Sequence, residues 1–368
     1  MRVGILGTRG IPNHYGGFEQ FAEYLSIGLV NRGHEVFVYN SHLHPFQEKV
    51  YNGVNLIHCF DAEDKIGTAG QFIYDLNCIL DSRKRKFDVL LQLGYTSSSI
   101  WGFLLPNQTP VLTNMDGLEW KRTKFSKKVQ AFLKQAEKWA VKRSDSLIAD
   151  SIGIQQYLKE KYKVDSHFIP YGAEVIDSPK EETLVEYNQN KFDYHMLIAR
   201  IEPENNIETI LDGFTKSNSQ KNFLVVGKLN TPLAKQLLEK YKLDKRIQFL
   251  GGIYDKDKLD HLRFYSDLYF HGHSVGGTNP SLLEAMASSA YLVAHQNVFN
   301  QSILENEAQY FSNSEEVKKI IESEVSTQER ERCIASNLTK IRTIYSWETI
   351  ISSYESRLLN LVQEKQST

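Results

Sequence analysis

The feature that most constrains this chain is an alternation of short apolar runs with longer amphipathic stretches, which occurs in two successive series. Short apolar runs are typical of buried strands, and helical periodicity between them predicts a parallel sheet covered by helices on both faces. The first series predicts strands at residues 3–6, 35–39, 55–59, 89–93, 110–113, 146–149 and 167–169, with helices that include 18–29, 127–141 and 152–162.

The second series follows a polar stretch at residues 173–193, whose composition is typical of a domain boundary. It predicts strands at 196–199, 223–226, 247–250, 268–270 and 291–294, helices at 207–215, 233–241, 258–265 and 281–287, and a helical tail over 317–363. A chain of 368 residues is long enough for two such units. We therefore expect two facing Rossmann-like α/β domains, with a ligand in the cleft between them beyond the carboxyl ends of the strands.

The composition excludes several classes of protein. Basic and acidic residues nearly balance, at a formal net charge of −2, so the chain as a whole lacks the basic excess of a nucleic-acid-binding protein. No apolar run approaches the roughly 18 residues of a membrane-spanning helix, and the first residues lack the apolar core and cleavage site of a signal peptide. The three cysteines are far apart, which predicts buried thiols and a reducing cytoplasm rather than a disulfide framework or a metal cluster.

The loop after the first strand carries four glycines, Gly7, Gly10, Gly16 and Gly17. A dinucleotide-binding fingerprint needs the spacing G-x-G-x-x-G and an acid at the end of the second strand, whereas here that strand ends at Asn40. The spacing therefore disfavours a nicotinamide cofactor. The Gly16-Gly17 pair at a helix start predicts a close approach of the main chain to an anionic ligand, and the alternative is a flexible loop with a glycine turn.

The clearest candidate site is the glycine-rich segment that opens the last predicted helix of the second series. Pro280 suits the first helical turn, and Thr278 or Asn279 can cap the helix. The backbone amides of residues 277–281 would then face outward at the positive end of the helix, where a diphosphate binds favourably. Glu284, one turn further, is placed to accept hydrogen bonds from sugar hydroxyls. The alternative, a glycine loop before a capped core helix, explains the proline but not the Gly-Gly pair and the acid together.

Two basic residues follow neighbouring strands of the second series. Arg200 closes the strand 196–199, and Lys228 follows the strand 223–226. Because ligands bind at the carboxyl ends of parallel strands, both side chains are expected on the ligand side of the sheet. Two fixed cations there would neutralise a leaving diphosphate, although either residue alone is more typical of a solvated surface.

Taken together, these segments resemble a retaining glycosyltransferase of the GT-B architecture, of the large family four, over nearly the whole chain. The motifs that carry the resemblance are residues 15–19, the hinge segment 169–174, residues 199–206, the glycine-rich segment up to Glu284, and residues 345–348. Within that family the chain is most similar to bacterial rhamnosyltransferases that act early in polysaccharide assembly, through residues 114–122 and the Gly-Gly-Thr-Asn-Pro variant at 276–280.

The resemblance implies an acceptor-binding domain over 1–172, a linker over 173–193, a nucleotide-sugar-binding domain over 194–345, and a C-terminal helix, 346–368, that packs toward the first domain. The catalytic residues that it implies are Asp116, Arg200 and Lys228. The donor-binding residues that it implies are Gly16, Gly17, Tyr254, His273, Gly276, Gly277, Thr278, Asn279, Ser281 and Glu284. Arg200 and Lys228 would hold the diphosphate, and the base would lie near residues 252–254. Asp116 would contact the sugar or the acceptor hydroxyl; the alternative is that Asp116 is only a turn residue.

The chain departs from the family pattern at two places. The family has two glutamates separated by seven residues in this loop; the second is Glu284, and the first falls at Gly276. The family's diphosphate-binding lysine is replaced by asparagine at 205–206, so Lys228 would carry more of the charge. Neither a metal nor another cofactor is expected, because the architecture does not require one and because the acids at 255–257 are typical of a helix cap.

A basic amphipathic stretch begins at Trp120 and continues along the predicted helix 127–141. Such a stretch predicts contact with an anionic membrane surface, although any solvated helix can carry the same pattern. The residues assigned to membrane or acceptor contact are Trp120, Lys121, Arg122, Lys124, Lys127 and Lys128. We therefore expect a lipid-linked diphosphate saccharide as acceptor, and a cytoplasmic protein that is peripheral on the inner face of the plasma membrane.

The sequence thus favours the transfer of L-rhamnose from dTDP-rhamnose to a lipid-linked saccharide in the synthesis of a bacterial surface polysaccharide. Two alternatives stay open. One is a transferase for another UDP- or GDP-hexose. The other is a catalytically inactive nucleotide-sugar-binding subunit, which the missing first glutamate would suit.

Overall fold

The computed structural model describes residues 1–122, 125–275 and 277–367, and the chain divides into two compact units. The first unit comprises Met1–Lys121, Phe125–Tyr171 and Trp347–Thr368, and the second comprises Arg122–Lys124 and Gly172–Ser346. Each unit contains a largely parallel sheet whose strands are connected through helices, as the alternation in the sequence predicts. Within the ranges described, no helix has both the length and the apolar character that crossing a membrane requires.

The sheet of the first unit has eight strands in the order β3-β4-β2-β1-β5-β6-β7-β8. All neighbouring pairs are parallel except β3 and β4, which are antiparallel. Strand β3 is not predictable from the sequence, because two residues carry no periodicity. The strands are β1 (Arg2–Leu6), β2 (Glu35–Ser41), β3 (Val50–Tyr51), β4 (Val54–Cys59), β5 (Val89–Leu93), β6 (Val111–Asn114), β7 (Ser146–Ala149) and β8 (His167–Phe168).

Five helices of the first unit precede the second unit in the chain. Their amphipathic faces cover the sheet, and α4 buries Leu133, Ala136 and Ala140 while its lysines stay in solvent. The helices are α1 (Gly17–Asn31), α2 (Glu63–Ile66), α3 (Gly70–Ser82), α4 (Lys127–Arg143) and α5 (Ile152–Tyr162), with short 3-10 turns at Gly67–Ala69, Ser99–Leu104 and Glu119–Lys121.

The sheet of the second unit has six parallel strands in the order β11-β10-β9-β12-β13-β14. The strands are β9 (Tyr194–Ile198), β10 (Asn222–Val226), β11 (Ile247–Gly251), β12 (Tyr269–His271), β13 (Leu292–His295) and β14 (Gln309–Phe311). The helices are α6 (Glu182–Glu186), α7 (Ile207–Lys216), α8 (Pro232–Tyr241), α9 (Lys256–Phe264), α10 (Pro280–Ala287), α11 (Val298–Leu304), α12 (Ser314–Glu322) and α13 (Thr327–Thr343), with a 3-10 turn at Pro203–Asn205. The aromatic rings of Phe214, Phe223 and Phe270 form part of its core, with Phe223 edge-on to Phe214 and tilted against Phe270.

The polar stretch 173–193 is part of the second unit. It contains α6, whose Leu184 is buried, and the Thr183 hydroxyl lies 2.8 Å from His261 Nδ1 of α9. A segment of low hydropathy thus packs on the domain by a few specific contacts, which composition alone does not reveal.

The helical tail predicted over 317–363 consists of three helices. After α12 and α13, the chain enters α14 (Trp347–Gln366), which belongs to the first unit. There Tyr354 is fully buried, its ring lies 5.1 Å from that of Phe21, and its hydroxyl accepts a hydrogen bond from Asn114 Nδ2 at 2.9 Å. This polar contact in an apolar setting fixes the position of α14 against β6.

Candidate active site

The strand order of the second unit indicates where a ligand can bind. In the sheet, β9 lies between β10 and β12. β10 is the next strand along the chain, whereas β12 comes after β11. In open parallel sheets, ligands bind beyond the carboxyl ends of the strands where the strand order reverses in this way. The segments that leave this part of the sheet are residues 199–206, residues 227–231 and residues 272–279, and we call the last of these the glycine loop.

Both predicted cations lie at this edge of the sheet. Arg200 is two residues beyond the end of β9, Lys228 is two residues beyond the end of β10, and both side chains are exposed. Lys228 Nζ lies 5.4 Å from the centre of the Tyr254 ring, which is 69% exposed. Neighbouring strands therefore bring two positive charges and an accessible aromatic ring to the same edge.

The end of the glycine loop caps helix α10. Asn279 is the cap residue, and its Oδ1 accepts a hydrogen bond from the Ser281 amide at 2.9 Å, with Pro280 as the first helical residue. The sequence predicts that the amide of Ser281 faces a ligand; in the structure this amide instead donates to the cap. Of the other predicted loop residues, Thr278 is buried, Gly277 is half-buried and Gly276 lies outside the described residues.

The histidines at the end of β12 are held in their neutral form. Asn205 Nδ2 donates to the Arg200 carbonyl at 2.7 Å, so the amide oxygen of Asn205 faces His273 Nδ1, 3.0 Å away, and His273 donates there. Burial, followed by the charges of Arg122 and Arg200, lowers the pKa of His273 to about 4. Burial, followed by the proximity of His273, lowers the pKa of His271 to about 3. Neither imidazole adds a positive charge to the site at neutral pH.

Four asparagines contact the start of the glycine loop, and we call them the asparagine clamp: Asn205, which contacts the His273 side chain, and Asn206, Asn297 and Asn300, which donate to main-chain carbonyls. Asn206 Nδ2 donates to the Gly272 carbonyl at 2.8 Å, and the amides of Asn297 and Asn300 both donate to the His273 carbonyl, at 3.1 and 3.0 Å. A Cβ at Gly272 would lie 2.0 Å from the Asn205 carbonyl oxygen, so glycine is required there. The sequence identified residues 205–206 only as a departure from the family and missed this role.

Glu284 extends from α10, and a buried arginine holds it. Arg263 of α9 is 1% exposed and donates from Nη2 to Glu284 Oε2 at 2.5 Å and from Nη1 to Asp260 Oδ1 at 2.7 Å. Arg263 was not identified from the sequence. The available signal was the spacing of Asp260 and Arg263, an acid and a base three residues apart on one helix.

The acids near the start of α9 have a structural role. Asp255 is the cap residue of α9, and its carboxylate accepts a hydrogen bond from the Lys258 amide at 3.2 Å, as the sequence predicts. In the ranges that the structure describes, no three histidine, cysteine, aspartate or glutamate side chains are grouped as a metal site would require. That the protein needs no metal stays a prediction.

In the first unit, Gly16 and Gly17 lie where α1 begins. Gly17 is the first helical residue and Gly16 precedes it with φ of −169°, an extended conformation that any residue adopts. The positive φ angles of this loop belong instead to Gly7 and Gly10, at 90° and 120°. The conformational argument for a glycine in this loop therefore applies to Gly7 and Gly10.

Asp116 lies in a turn of the first unit with a left-handed backbone, at φ of 49°. Its amide donates to Asn114 Oδ1 at 2.9 Å, and the Tyr171 hydroxyl donates to its carboxylate at 3.3 Å. The turn geometry that was weighed against a catalytic role is therefore present, and the carboxylate is held in place as well.

The basic stretch divides into buried and exposed members. Trp120 is half-buried and donates to Glu137 Oε2 at 3.0 Å, while Glu137 also accepts from Tyr157 and Tyr162 at 2.7 and 2.6 Å. Lys121, Lys127 and Lys128 are exposed. Arg122, grouped with the second unit, has a side chain only 13% exposed and lies 4.0 Å from Glu204, and Lys124 falls outside the described residues.

Two family models match the chain. Residues 1–174 match a model described as "Domain of unknown function (DUF1972)", and residues 180–337 match one described as "Glycosyl transferases group 1". No curated protein matches the chain.

Solved structures match both units together. Sucrose-phosphate synthase from Thermosynechococcus elongatus is 15% identical, with a TM-score of 0.81 and coverage of 99% of each chain. The Anabaena protein HepE, in complex with UDP and glucose, is 16% identical, with a TM-score of 0.75 and coverage of 98% of this chain and 99% of that chain. A trehalose 6-phosphate synthase from Burkholderia multivorans is 10% identical, with a TM-score of 0.74 and coverage of 100% and 98%. These similarities confirm the expected fold, the GT-B combination of two Rossmann-like domains.

Proposed function

We propose, on the premise that residues 180–337 form a glycosyl transferases group 1 domain, that this glycosyltransferase binds its nucleotide-sugar donor at the β9–β12 edge of the second unit. The observation that carries the proposal is the placement of Arg200 and Lys228 beyond adjacent strand ends, beside the glycine loop and the capped start of α10. Fixed cations and a helix start are the groups that a diphosphate needs.

The reaction we propose retains the configuration of the transferred sugar. The bond between the anomeric carbon and the diphosphate oxygen breaks, and a bond to the acceptor oxygen forms on the same face. The proton of the acceptor hydroxyl moves to the departing phosphate oxygen. Negative charge grows on the diphosphate as it leaves, and Arg200 and Lys228 would stabilise that charge. Asp116 would contact the sugar or the acceptor hydroxyl.

For the donor we propose dTDP-rhamnose. Its support is the resemblance of residues 114–122 and 276–280 to bacterial rhamnosyltransferases. In this arrangement the base would lie against Tyr254, whose ring is accessible beside Lys228, and the ribose would bind the carboxylate of Glu284.

A second donor class has a specific observation in its favour. The Anabaena protein HepE, which shares the fold, is known in complex with UDP-glucose as well as with UDP. A UDP-hexose is therefore the first alternative to test. The inactive-subunit alternative is kept because the family's first glutamate falls at Gly276 in this chain.

For the acceptor we propose a lipid-linked diphosphate saccharide, reached at the inner face of the plasma membrane by a cytoplasmic, peripheral enzyme. The support is the exposed basic face of α4, where Lys127, Lys128 and Lys138 are all in solvent. A cationic amphipathic face is attracted to anionic lipid headgroups.

Calorimetric titration of the whole chain with dTDP, UDP and GDP tests the donor site. We expect dTDP to bind most tightly, and Arg200→Ala and Lys228→Ala each to weaken it at least about tenfold, since a charge-assisted hydrogen bond contributes about 1.5–3 kcal/mol. Arg342→Ala on α13 and Lys245→Ala, before β11 at the opposite end of the strands, are matched controls that should bind as the wild type does. Both control residues are exposed.

The outcomes separate the possibilities. Tightest binding of UDP or GDP would discard dTDP-rhamnose and keep a transferase. Binding that is equally weakened by the control substitutions would contradict the proposed location of the site. Donor binding without transfer to any lipid-linked acceptor and without donor hydrolysis would favour the inactive subunit, and no binding of any nucleoside diphosphate would overturn the proposal.

A further inference from the structure

The carboxylate of Glu284 is supported from inside the second unit by a chain of charged side chains. Arg263 Nη2 donates to Glu284 Oε2, Arg263 Nη1 donates to Asp260 Oδ1, and Lys256 Nζ donates to Asp260 Oδ2, at 2.5, 2.7 and 2.5 Å. The Ser288 hydroxyl lies 3.3 Å from Asp260 Oδ1. The four charges alternate in sign and sum to zero, so the network is electrically balanced before a ligand arrives.

The exposed fraction of the side chains differs strongly between the two ends of this charged network. The Arg263 side chain is 1% exposed and Asp260 is 5% exposed, whereas Glu284 is 20% exposed at the surface end. Arg263 is among the largest fully buried side chains of the protein. Burying a charged guanidinium is costly unless its partners are well placed, and a hydrophobic pair of the same volume often stabilises a fold at least as well. Stability alone is therefore a weak reason for this arrangement.

The geometry has a direct consequence for Glu284. An arginine presents its donors in a rigid planar fork, so two carboxylates bound to two of its nitrogens are fixed relative to each other. Asp260 holds the fork, and the fork holds one oxygen of Glu284. The carboxylate is thereby restrained in rotation, so that its position relative to a ribose hydroxyl that donates to it is fixed.

We propose that Arg263 is a positioning residue for donor recognition: it orients Glu284 so that this carboxylate accepts a hydrogen bond from the 3′-hydroxyl of the nucleotide ribose. This inference rests on the proposed function and deepens it. It assigns the discrimination of ribose hydroxyls to a pair of residues on two helices, α9 and α10, of which only Glu284 meets the ligand.

The test combines changes in the protein with a change in the ligand. The affinities of dTDP and of 3′-deoxythymidine diphosphate are measured by calorimetric titration for the wild type, Arg263→Lys and Arg263→Met, with UDP and 3′-deoxyuridine diphosphate as the second pair. For the wild type we expect removal of the 3′-hydroxyl to weaken binding at least about tenfold. For Arg263→Met we expect less than a threefold loss, because a carboxylate without its partner no longer holds one orientation.

Arg263→Lys retains the charge but not the planar fork. Removal of the 3′-hydroxyl should therefore weaken its binding by a factor between those of the wild type and Arg263→Met. A purely structural role would weaken both ligands equally and leave their ratio unchanged. Arg246→Lys is the matched control, since Arg246 is also ion-paired in the second unit, with Asp244, and it should keep the wild-type ratio. If Arg263→Met does not fold, Asp260→Ala serves in its place, because it removes the acceptor that holds the fork while leaving Arg263 and Glu284 present.

Three results would overturn the inference. One is a wild type that binds dTDP or UDP but is indifferent to the 3′-hydroxyl, which leaves the proposed function standing. Another is an unchanged hydroxyl ratio in the Arg263 or Asp260 variants that fold. The third is a wild type that binds no nucleoside diphosphate, in which case the proposed function fails together with it.

Discussion

At the scale of single residues, Asp75 illustrates how burial sets the charge of a group. It lies on α3, is 6% exposed, and accepts a hydrogen bond from the Ser97 hydroxyl at 2.6 Å. Burial is the largest influence on its pKa and raises it, and the charge of Asp61 raises it further. The hydrogen bond from Ser97 and the charge of Arg9 lower the pKa, and the net result is a rise to about 7. Near neutral pH the group therefore changes between a neutral acid and a buried carboxylate.

The sign of the resulting pH dependence follows from linkage. Because the pKa of Asp75 in the folded protein is above its ordinary value of 3.8, its contribution to stability is complete below about pH 4 and is lost as the pH rises through about 7. Asp75→Asn cannot ionise, so we expect its unfolding free energy to fall less than that of the wild type between pH 5 and pH 8, by about 3 kcal/mol at most. Urea unfolding at the two pH values measures this. An equal change in unfolding free energy between pH 5 and pH 8 in both proteins would contradict the prediction.

At the scale of elements, the contact between α1 and α14 depends on a residue without a side chain. A Cβ added at Gly28 of α1 would lie 2.4 Å from Ile351 Cδ1 of α14 and 3.0 Å from both of its γ carbons. The glycine sits inside a helix, where it costs stability relative to alanine. Close approach of the two helices is the compensating gain.

We expect Gly28→Ala to destabilise the protein by about 1–2 kcal/mol, because overpacking outweighs the gain in helix propensity of about 1 kcal/mol. Combining it with Ile351→Ala should remove most of the clash, so the two changes will not be additive. Thermal unfolding of the four proteins of this cycle measures the coupling. An increase in stability for Gly28→Ala alone would contradict the assigned contact.

How far the sequence predicts these elements depends on where the information lies. Strand β5 and helix α5 have the predicted bounds, because a buried strand and an amphipathic helix each carry a period along the chain. Strands β3 and β14 were missed, since two or three residues are too short for a pattern. The breaks in the C-terminal tail depend on caps such as Ser326, whose hydroxyl accepts from the Glu329 amide.

The candidate site divides in the same way. Arg200, Lys228 and Asn279 were predictable because their positions relative to a strand end or a helix start decide where they lie. Arg263 was not, because its role comes from a contact with Glu284, 21 residues away in the chain and on another helix. Likewise, the clamp residues Asn297 and Asn300 contact the His273 carbonyl because β13, which precedes them in the chain, pairs with β12 in the sheet.

At the scale of the whole molecule, charge is unevenly distributed. Residues 1–172 carry a net charge of +4 and the remaining residues one of −6. Much of the excess in the first part lies on α4, whose lysines are exposed while Leu133 and Ala136 face the core. We therefore expect the exposed lysines of α4 to be the part of the protein that meets an anionic surface.

We expect the protein to bind vesicles of mixed phosphatidylcholine and phosphatidylglycerol at low ionic strength, and Lys127→Glu/Lys128→Glu to weaken binding at least about tenfold, since each lysine near the surface contributes about 1 kcal/mol. Lys318→Glu/Lys319→Glu on α12 of the second unit is the matched control and should have little effect. Co-sedimentation measures both pairs. Equal losses for the two pairs, or a wild type that stays in solution, would argue against the proposed membrane contact.

The assignment of α14 to the first unit has a consequence for synthesis on the ribosome. The first unit is discontinuous, because its first and last parts are separated by about 175 residues of the second. At roughly 5–20 residues per second, roughly 10–35 seconds pass between the emergence of Tyr171 and that of Trp347. Until then, Phe21 lacks Tyr354, and the surface that α14 covers stays exposed on the nascent chain. The unit made first is therefore the last to be completed.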